Sequence, residues 1–348
     1  MHAMYSDAPL YTAFYEPSLV DPAFRSLDIR TGWMQALPGW RTHHQAYLPV
    51  YPLAFATTRV RNADVVLSNA SAFCKGIGTP DGSVHVCYCL TPPRFVWMPE
   101  QYLARERYPA WTASALSPLT AFLRTWDRAA AHRVTRFVAI SRTIADRIRR
   151  YYGRHADIVY PPVDTARFLP SSERENYFLI VSRLVPYKRI DLAVKACTEL
   201  ALPLVVIGEG RDREALRASA GPTVRFLGSL SDDQVSRYMA RCRAFLFPGE
   251  EDFGIAPVEA QAAGRPVVAY AAGGALDTVT DGETGVLFRE PTVASLAEAL
   301  RRIDALTFNT ARLVASAARF STSAFHSGLG TIVQETWQTA RAGRSARR

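Results

Sequence analysis

The sequence predicts an α/β protein of two domains, each built on a doubly wound parallel sheet. Three observations carry this expectation. The chain has 348 residues, about two domains' worth, and 48% hydrophobic residues, enough for two buried cores. Its second half alternates short apolar runs with longer mixed ones, the rhythm of repeated βα units. Several of those runs close on glycine or on charged loops at their carboxyl ends, where open α/β sheets bind ligands.

In the second half the run 177–182 (YFLIVS) is short and wholly buried in character, so it predicts a parallel strand. A helix is expected over 190–200, a strand over 202–207 ending at Gly208 and Gly210, a helix over 211–220 and a strand over 224–227 ending at Gly228. Asp232 is placed to cap the next helix. Strands follow over 243–247, 266–270 and 285–288, and a helix over 292–303 with Thr292 as its cap. The first half is less regular. Strands are expected over 11–15, 65–68, 84–89 and 136–140, and helices over 117–132 and 141–151.

Two adjacent prolines, Pro161 and Pro162, make a stiff extended connection that interrupts the alternation. The domain linker is therefore expected between Asp164 and Asn176, dividing the chain into domains 1–168 and 174–325. The segment 341–348 is small, polar and basic and is expected to be a disordered tail.

The densest chemistry lies in the stretch FPGEEDFGIAPVEAQAAGRPVVAYAAGG, over 247–274. A strand leads into a loop with two acids, then a helix opening at Pro257, a second strand and a glycine pair. Proline suits a first helical turn because it has no N–H to lose there. Glu251 is then left outside the helix mouth and Glu259 in the first turn. A helix N-terminus beside a glycine-bearing loop can receive phosphate, and a carboxylate nearby can accept from a ribose diol. Upstream, SRLVPYKRID puts Arg183 and Lys188 just past the carboxyl end of the first strand of this half. No Asp-x-Asp spacing occurs, so no metal site is expected.

These segments resemble the E-x7-E signature of retaining glycosyltransferases of family 4, strongly over 160–288 and recognisably from about residue 8. The resemblance implies the GT-B architecture, two Rossmann-like domains facing a cleft, with a C-terminal helix (about 328–340) packing back on the N-terminal, acceptor-side domain. It implies a nucleotide-sugar donor as co-substrate rather than a resident cofactor. Arg183 and Lys188 would grip the donor diphosphate, Glu251 would contact the donor sugar and Glu259 the ribose. Phe253, Gly254, Ile255, Gly208, Gly273 and Gly274 would complete the donor site. The stretch from His85 to Trp97 is similar to mannosyltransferase-like members and suggests GDP-mannose as donor, with Thr91, Arg94 and Trp97 on the acceptor side. The implied acceptor is lipid-linked or a growing polysaccharide, as in cell-envelope or exopolysaccharide synthesis. The chain departs from the family in three places: Leu90 stands where His is common, Ile140 where Asn is frequent, and the first glycine is Gly32, as though the first βα unit of the N-terminal domain were missing. The departures favour one alternative, a truncated or catalytically impaired nucleotide-sugar-binding relative; a GT-B-like nucleotide-sugar epimerase or phosphorylase is a second, because such folds host these activities too.

Composition narrows the setting. No apolar run reaches the ~20 residues of a membrane span, and 1–11 reads as no secretory leader. Five cysteines without a regular framework suggest a reducing compartment, hence a cytoplasmic protein. Cys87 and Cys89 are read as packing residues on opposite faces of a strand and therefore a poor metal pair. The net charge of +9 gathers in the Arg-rich stretch 124–154. It fits contact with an anionic membrane at the inner face of the cytoplasmic membrane as well as it fits a solvated helix face. No nucleic-acid module is present.

Overall fold

The computed structural model describes residues 1–105, 109 and 111–345. The chain divides into two compact units, one made of residues 1–140, 144–159 and 326–348, the other of 141–143 and 160–325.

The first unit opens with a small parallel pair, β1 (Leu10–Thr12) and β2 (Ile29–Thr31). Its main sheet is β3 (Val65–Ala70), β4 (Val84–Cys89), β5 (Arg136–Ala139) and β6 (Ala156–Ile158), in the order β3-β4-β5-β6 and parallel throughout. The strand order never reverses, so these four strands contain no switch point. β2 and β6 lie outside the expected strands because three-residue strands leave no periodicity to read. The helices Ser117–His132 and Arg142–Tyr152 cover the sheet from the expected segments.

β4 is buried along its whole length. Positions two apart on a strand share a face, so Cys87 and Cys89 lie on the same side of β4, which corrects the expectation of opposite faces. His85 lies in the same core, with Nε2 2.8 Å from Ser68 Oγ, and burial pushes its pKa down to about 4, so it is neutral near pH 7.

One polar cluster ties this unit together. Lys75 and Asp127 form an ion pair with both side chains 1% exposed. Asp127 Oδ2 also accepts from Trp97 Nε1 at 2.8 Å and from the Tyr152 hydroxyl at 2.7 Å, and Lys75 Nζ donates to the Ala72 carbonyl at 2.8 Å. The desolvated charges are thus compensated by each other and by neutral donors and acceptors, the condition under which a buried pair persists.

The second unit has β7 (Phe178–Val181), β8 (Leu204–Ile207), β9 (Val224–Gly228), β10 (Ala244–Phe247), β11 (Val267–Tyr270) and β12 (Gly285–Phe288). They form one parallel sheet in the order β12-β11-β10-β7-β8-β9. This is the dinucleotide-binding strand order, with its reversal between β7 and β10. The core is made by the strand residues Phe178, Ile180, Val206, Leu246 and Val268, with Leu296 and Leu300 from the helix Val293–Asp304. Thr292 caps that helix through Ser295 N, as expected. Ser231, one residue before the expected Asp232, caps Asp232–Arg241 in a reciprocal box with Gln234, because its shorter side chain reaches the Gln234 N–H. The helix after the two-acid loop begins at Ile255, two residues before Pro257, so Glu259 sits one turn inside rather than in the first turn.

The last helix, Thr322–Ser345, belongs to the first unit from His326 onward. It runs five residues into the segment expected to be disordered. Arg341 lies over the Trp337 ring at 5.4 Å and Arg344 bonds the Gly82 carbonyl, contacts that composition does not reveal. Residues 346–348 fall outside the described residues.

Replacing Lys75 by Met should destabilise the first unit by about 3–5 kcal/mol, because Asp127 would stay buried without its counter-charge. Urea unfolding checks this, and loss of less than about 1 kcal/mol would contradict it.

Candidate functional site

The site forms where the sheet of the second unit reverses. The crevice beyond the carboxyl ends of β7 and β10 is the general ligand position in such sheets, and the loops leaving these two strands carry the expected residues. After β7, Pro186–Lys188 forms a short 3-10 turn, and Arg189 takes a left-handed conformation (φ 52°) before the helix Ile190–Glu199. A branched-chain backbone would resist that conformation, and Arg adopts it at a modest cost. The turn fixes Lys188, whose ammonium ion-pairs with Glu251 Oε1 from the loop after β10. No donor is aligned for a hydrogen bond on that buried oxygen, so it keeps acceptor capacity for a ligand hydroxyl. Arg183 is exposed, with Nη2 3.1 Å from the Tyr187 hydroxyl.

Glycines allow the loops to meet. A Cβ at Gly249 would fall 2.7 Å from the Lys188 carbonyl oxygen, so only glycine lets the β10 loop lie against the β7 loop. Gly274, in the loop after β11, donates its N–H to the Glu251 carbonyl at 2.8 Å and backs onto the Phe253 main chain. Gly273 (φ 60°) and Gly254 (φ 88°) occupy backbone conformations that favour glycine. Gly208, after β8, packs directly on the Ser182 carbonyl. Arg183, Lys188, Glu251, Gly208, Gly273 and Gly274 are therefore carried by adjoining loops at one end of one sheet.

Phe253 is buried between Tyr160 and Phe320, with ring centroids at 5.8 Å and 5.6 Å. Its side chain is a core residue, and only its main chain reaches the glycine loop. Ile255 is exposed at the first position of the helix Ile255–Ala262. Tyr160 also donates to Asp277 at 3.1 Å, and the same carboxylate accepts from Arg142 Nε at 2.6 Å.

Glu259 is desolvated but unbonded. Its side chain is 17% exposed, and among the described residues its polar neighbour is Arg167 Nη2 at 3.5 Å, too poorly aligned for a hydrogen bond. Burial raises its pKa above the ordinary carboxylate value, with Arg167 acting in the opposite sense. A carboxylate held without donors in a half-dry site is prepared to accept from a ligand carrying two hydroxyls.

The acceptor-side candidates lie in the first unit, on and before the short helix Arg94–Trp97. Thr91 Oγ1 bonds the Pro92 carbonyl at 3.1 Å. Trp97 is committed to structure: its N–H goes to Asp127, Tyr151 stacks on its ring at 4.7 Å and Arg128 lies over it at 4.9 Å. Arg94 stands at the start of the helix. Leu90 follows β4 and bonds the Ala70 carbonyl through its own N–H. Arg167 and Gly249 are site residues that sequence reading missed. Gly249 was discoverable as a glycine two residues past a strand end, whereas Arg167 lies 92 positions before Glu259 with no motif joining them. Among the described residues no group of three or more His, Cys, Asp or Glu is placed to hold a metal ion.

Comparison with known proteins finds two family models that meet at residues 164–167. "Glycosyltransferase Family 4" matches residues 44–167 and "Glycosyl transferases group 1" matches 164–319. Curated relatives include a D-inositol 3-phosphate glycosyltransferase of Nocardioides, 30% identical over 42% of this chain and 40% of its own length. They include a GDP-mannose-dependent alpha-mannosyltransferase of Mycobacterium tuberculosis, 35% identical over 36% of each chain. A 2-deoxystreptamine glucosyltransferase of Streptomyces kanamyceticus is 37% identical over 35% of each. The chain spans less than half the length of these relatives. Among solved structures, sucrose-phosphate synthase of Thermosynechococcus elongatus aligns with a TM-score of 0.64 at 18% identity, over 89% of this chain and 84% of the other. The lipopolysaccharide galactosyltransferase WaaB aligns at 0.59 and 15%, over 93% and 87%.

Glu259→Gln should stabilise the ligand-free protein near pH 7. The folded pKa of Glu259 lies above its unfolded value, so stability falls as pH rises through that window and the penalty is complete at neutral pH. The gain in Tm should vanish when pH drops below the ordinary Glu value. Thermal unfolding from pH 4 to 8 checks it, and a loss of Tm at pH 7 would contradict the sign.

Proposed function

Because the chain belongs to glycosyltransferase family 4, with the two Rossmann-like units of the GT-B class, we propose that it is a retaining hexosyltransferase that takes its sugar from a nucleotide-sugar donor bound by the second unit. The observation that carries this reading is the set Arg183, Lys188 and Glu251 at the β7/β10 reversal, with Glu259, paired loosely with Arg167, on the helix that follows the β10 loop. When the bond between sugar and diphosphate breaks, negative charge accumulates on the departing diphosphate. Arg183 and Lys188 stabilise that charge more in the transition state than in the bound donor, which is what accelerates a reaction. Two fixed cations perform the task that a divalent ion performs in metal-dependent relatives, so the reaction is proposed to need no metal. Lys188 is paired with Glu251, and an incoming diphosphate would compete for it, freeing Glu251 for the sugar hydroxyls. Glu259 would accept from the ribose. No side chain is assigned as a covalent nucleophile. A front-face path, with a donor phosphate oxygen taking the acceptor proton, leaves positioning and electrostatics to the protein.

The finer assignments are proposals of the same kind. Mannose from GDP-mannose is the first donor, supported by the mannosyltransferases among the relatives. The acceptor is lipid-linked or a polysaccharide in cell-envelope synthesis, with Thr91 and Arg94 on its side. The setting is the cytoplasm, at the inner face of the membrane. Trp111 and Phe122 are exposed on consecutive helices of the first unit and Leu116 in the turn between them, and Arg128, Arg133 and Arg150 follow, a composition suited to an anionic surface. Among the described residues no helix is long and apolar enough to cross a membrane. A second reading, donor binding without transfer, is favoured by Leu90, which cannot hydrogen-bond to substrate through its side chain.

Thermal shift with a panel of nucleotide sugars, followed by transfer assays, tests the reading: the true donor should raise Tm with the logarithm of its concentration. Arg183→Ala and Lys188→Ala should each lower turnover about 10²–10³-fold. Stabilisation without transfer supports the second reading. Unchanged kinetics in both variants would discredit the site.

A further inference from the structure

Arg167 is placed for a role that no motif announces. It closes the 3-10 turn Thr165–Arg167, which is pinned to the helix Asp232–Arg241 by Ser236 Oγ donating to the Arg167 carbonyl at 2.9 Å. Its guanidinium lies over the ring of the buried Phe168 at 4.7 Å. From that anchor it reaches two carboxylates: Nη1 is 2.6 Å from Asp232 Oδ2 and Nη2 is 3.5 Å from Glu259 Oε1. Asp232 is largely solvated, with its side chain 78% exposed, and Glu259 is largely enclosed. The cation therefore bridges a wet acid and a dry one.

We propose that Arg167 is a positioning residue for the nucleoside end of the donor: shared between Asp232 and Glu259, it holds the Glu259 carboxylate as an acceptor for the two hydroxyls of a ribonucleoside diphosphate. This deepens the donor site proposed above and rests on Glu259 being its ribose contact. The physical reason is a conflict. Enclosure is needed so that hydroxyl–carboxylate bonds are strong, but enclosure favours the protonated acid, which has lost acceptor capacity. A cation that does not itself hydrogen-bond the carboxylate with good geometry resolves the conflict, because it supports the charge without occupying the lone pairs. Asp232 works against it by drawing Arg167 outward and by adding its own negative charge. Asp164, from the preceding turn, adds more. The elements packed around the Glu259 helix also carry Asp233, Arg237, Arg241, Asp277 and Arg312, but the charges that act on Glu259 are those of Arg167, Asp232 and Asp164.

Two substitutions should then move donor binding in opposite directions. Arg167→Gln removes the support, so binding should fail at a higher pH than in the wild type. Asp232→Asn removes the opposing charge, so binding should persist to a lower pH. A residue that merely supports the fold would not give shifts of opposite sign. Arg167→Lys, which keeps the charge, should stay near wild type and controls for loss of packing on Phe168.

Calorimetric titration of the full chain from pH 5 to 8 with GDP, UDP and ADP, and with the 2′,3′-dideoxy form of the tightest, tests this. The expected result is that the wild type prefers the ribonucleotide. Arg167→Gln should weaken it roughly threefold to fivefold near pH 6, the scale of a partly exposed charge pair, and leave the dideoxy form unchanged. If the wild type binds both forms equally at every pH, the ribose role of Glu259 falls and this inference with it. If the wild type discriminates but Arg167→Gln weakens both forms alike, or if the two variants shift in the same direction, the inference is overturned while the donor site stands.

Discussion

The second unit depends on one topological constraint. Its sheet is built outward in both directions from β7 and β10, and the carboxyl ends of strands at such a reversal are the general ligand position of open α/β sheets. Arg183, Lys188 and Glu251 stand on the loops that leave those strands, beside glycines that let the segments pack closely. The Lys188–Glu251 ion pair spans the reversal, joining the β7 loop to the β10 loop. It ties one loop to the other and holds two opposite charges side by side at that end of the sheet. A pair so placed contributes little net stability once its desolvation is counted, so its value lies in fixing where the two charges stand.

The two carboxylates of the site are treated differently by their surroundings. Glu251 faces a lysine directly, whereas Glu259 is enclosed with a cation only at its margin. The first is neutralised by its partner and the second is left electrostatically uncomfortable. Such discomfort is expected where function has been kept at the expense of stability. Within the first unit the contrast is instructive: Lys75 and Asp127 are enclosed far more completely, yet every polar atom described there has a partner, and nothing about them points to a ligand.

Legibility from sequence followed the strength of local signals. The second unit could be read almost element by element, because four-residue strands such as FLIV and LVVI are wholly apolar and separated by amphipathic helices. The site loops were legible for the same reason, since their residues sit within a few positions of strand ends. What escaped reading was tertiary. Three-residue strands β2 and β6 have no period, the helical end of the chain owes its order to Trp337 and Gly82 rather than to composition, and the Asp127 bond to Trp97 joins residues thirty positions apart. Arg167 belongs to this class, as does the burial of Phe253 between two rings that lie far off in sequence.

The central claim is that Arg183 and Lys188 seize a diphosphate. The most direct measurement compares, by calorimetry at one ionic strength, the affinity of a nucleoside diphosphate with that of the same nucleoside lacking phosphate. The account predicts at least a tenfold preference for the diphosphate, about 1.4 kcal/mol, abolished when both cations are replaced by alanine. Equal affinity for the two ligands in the unaltered protein would contradict it.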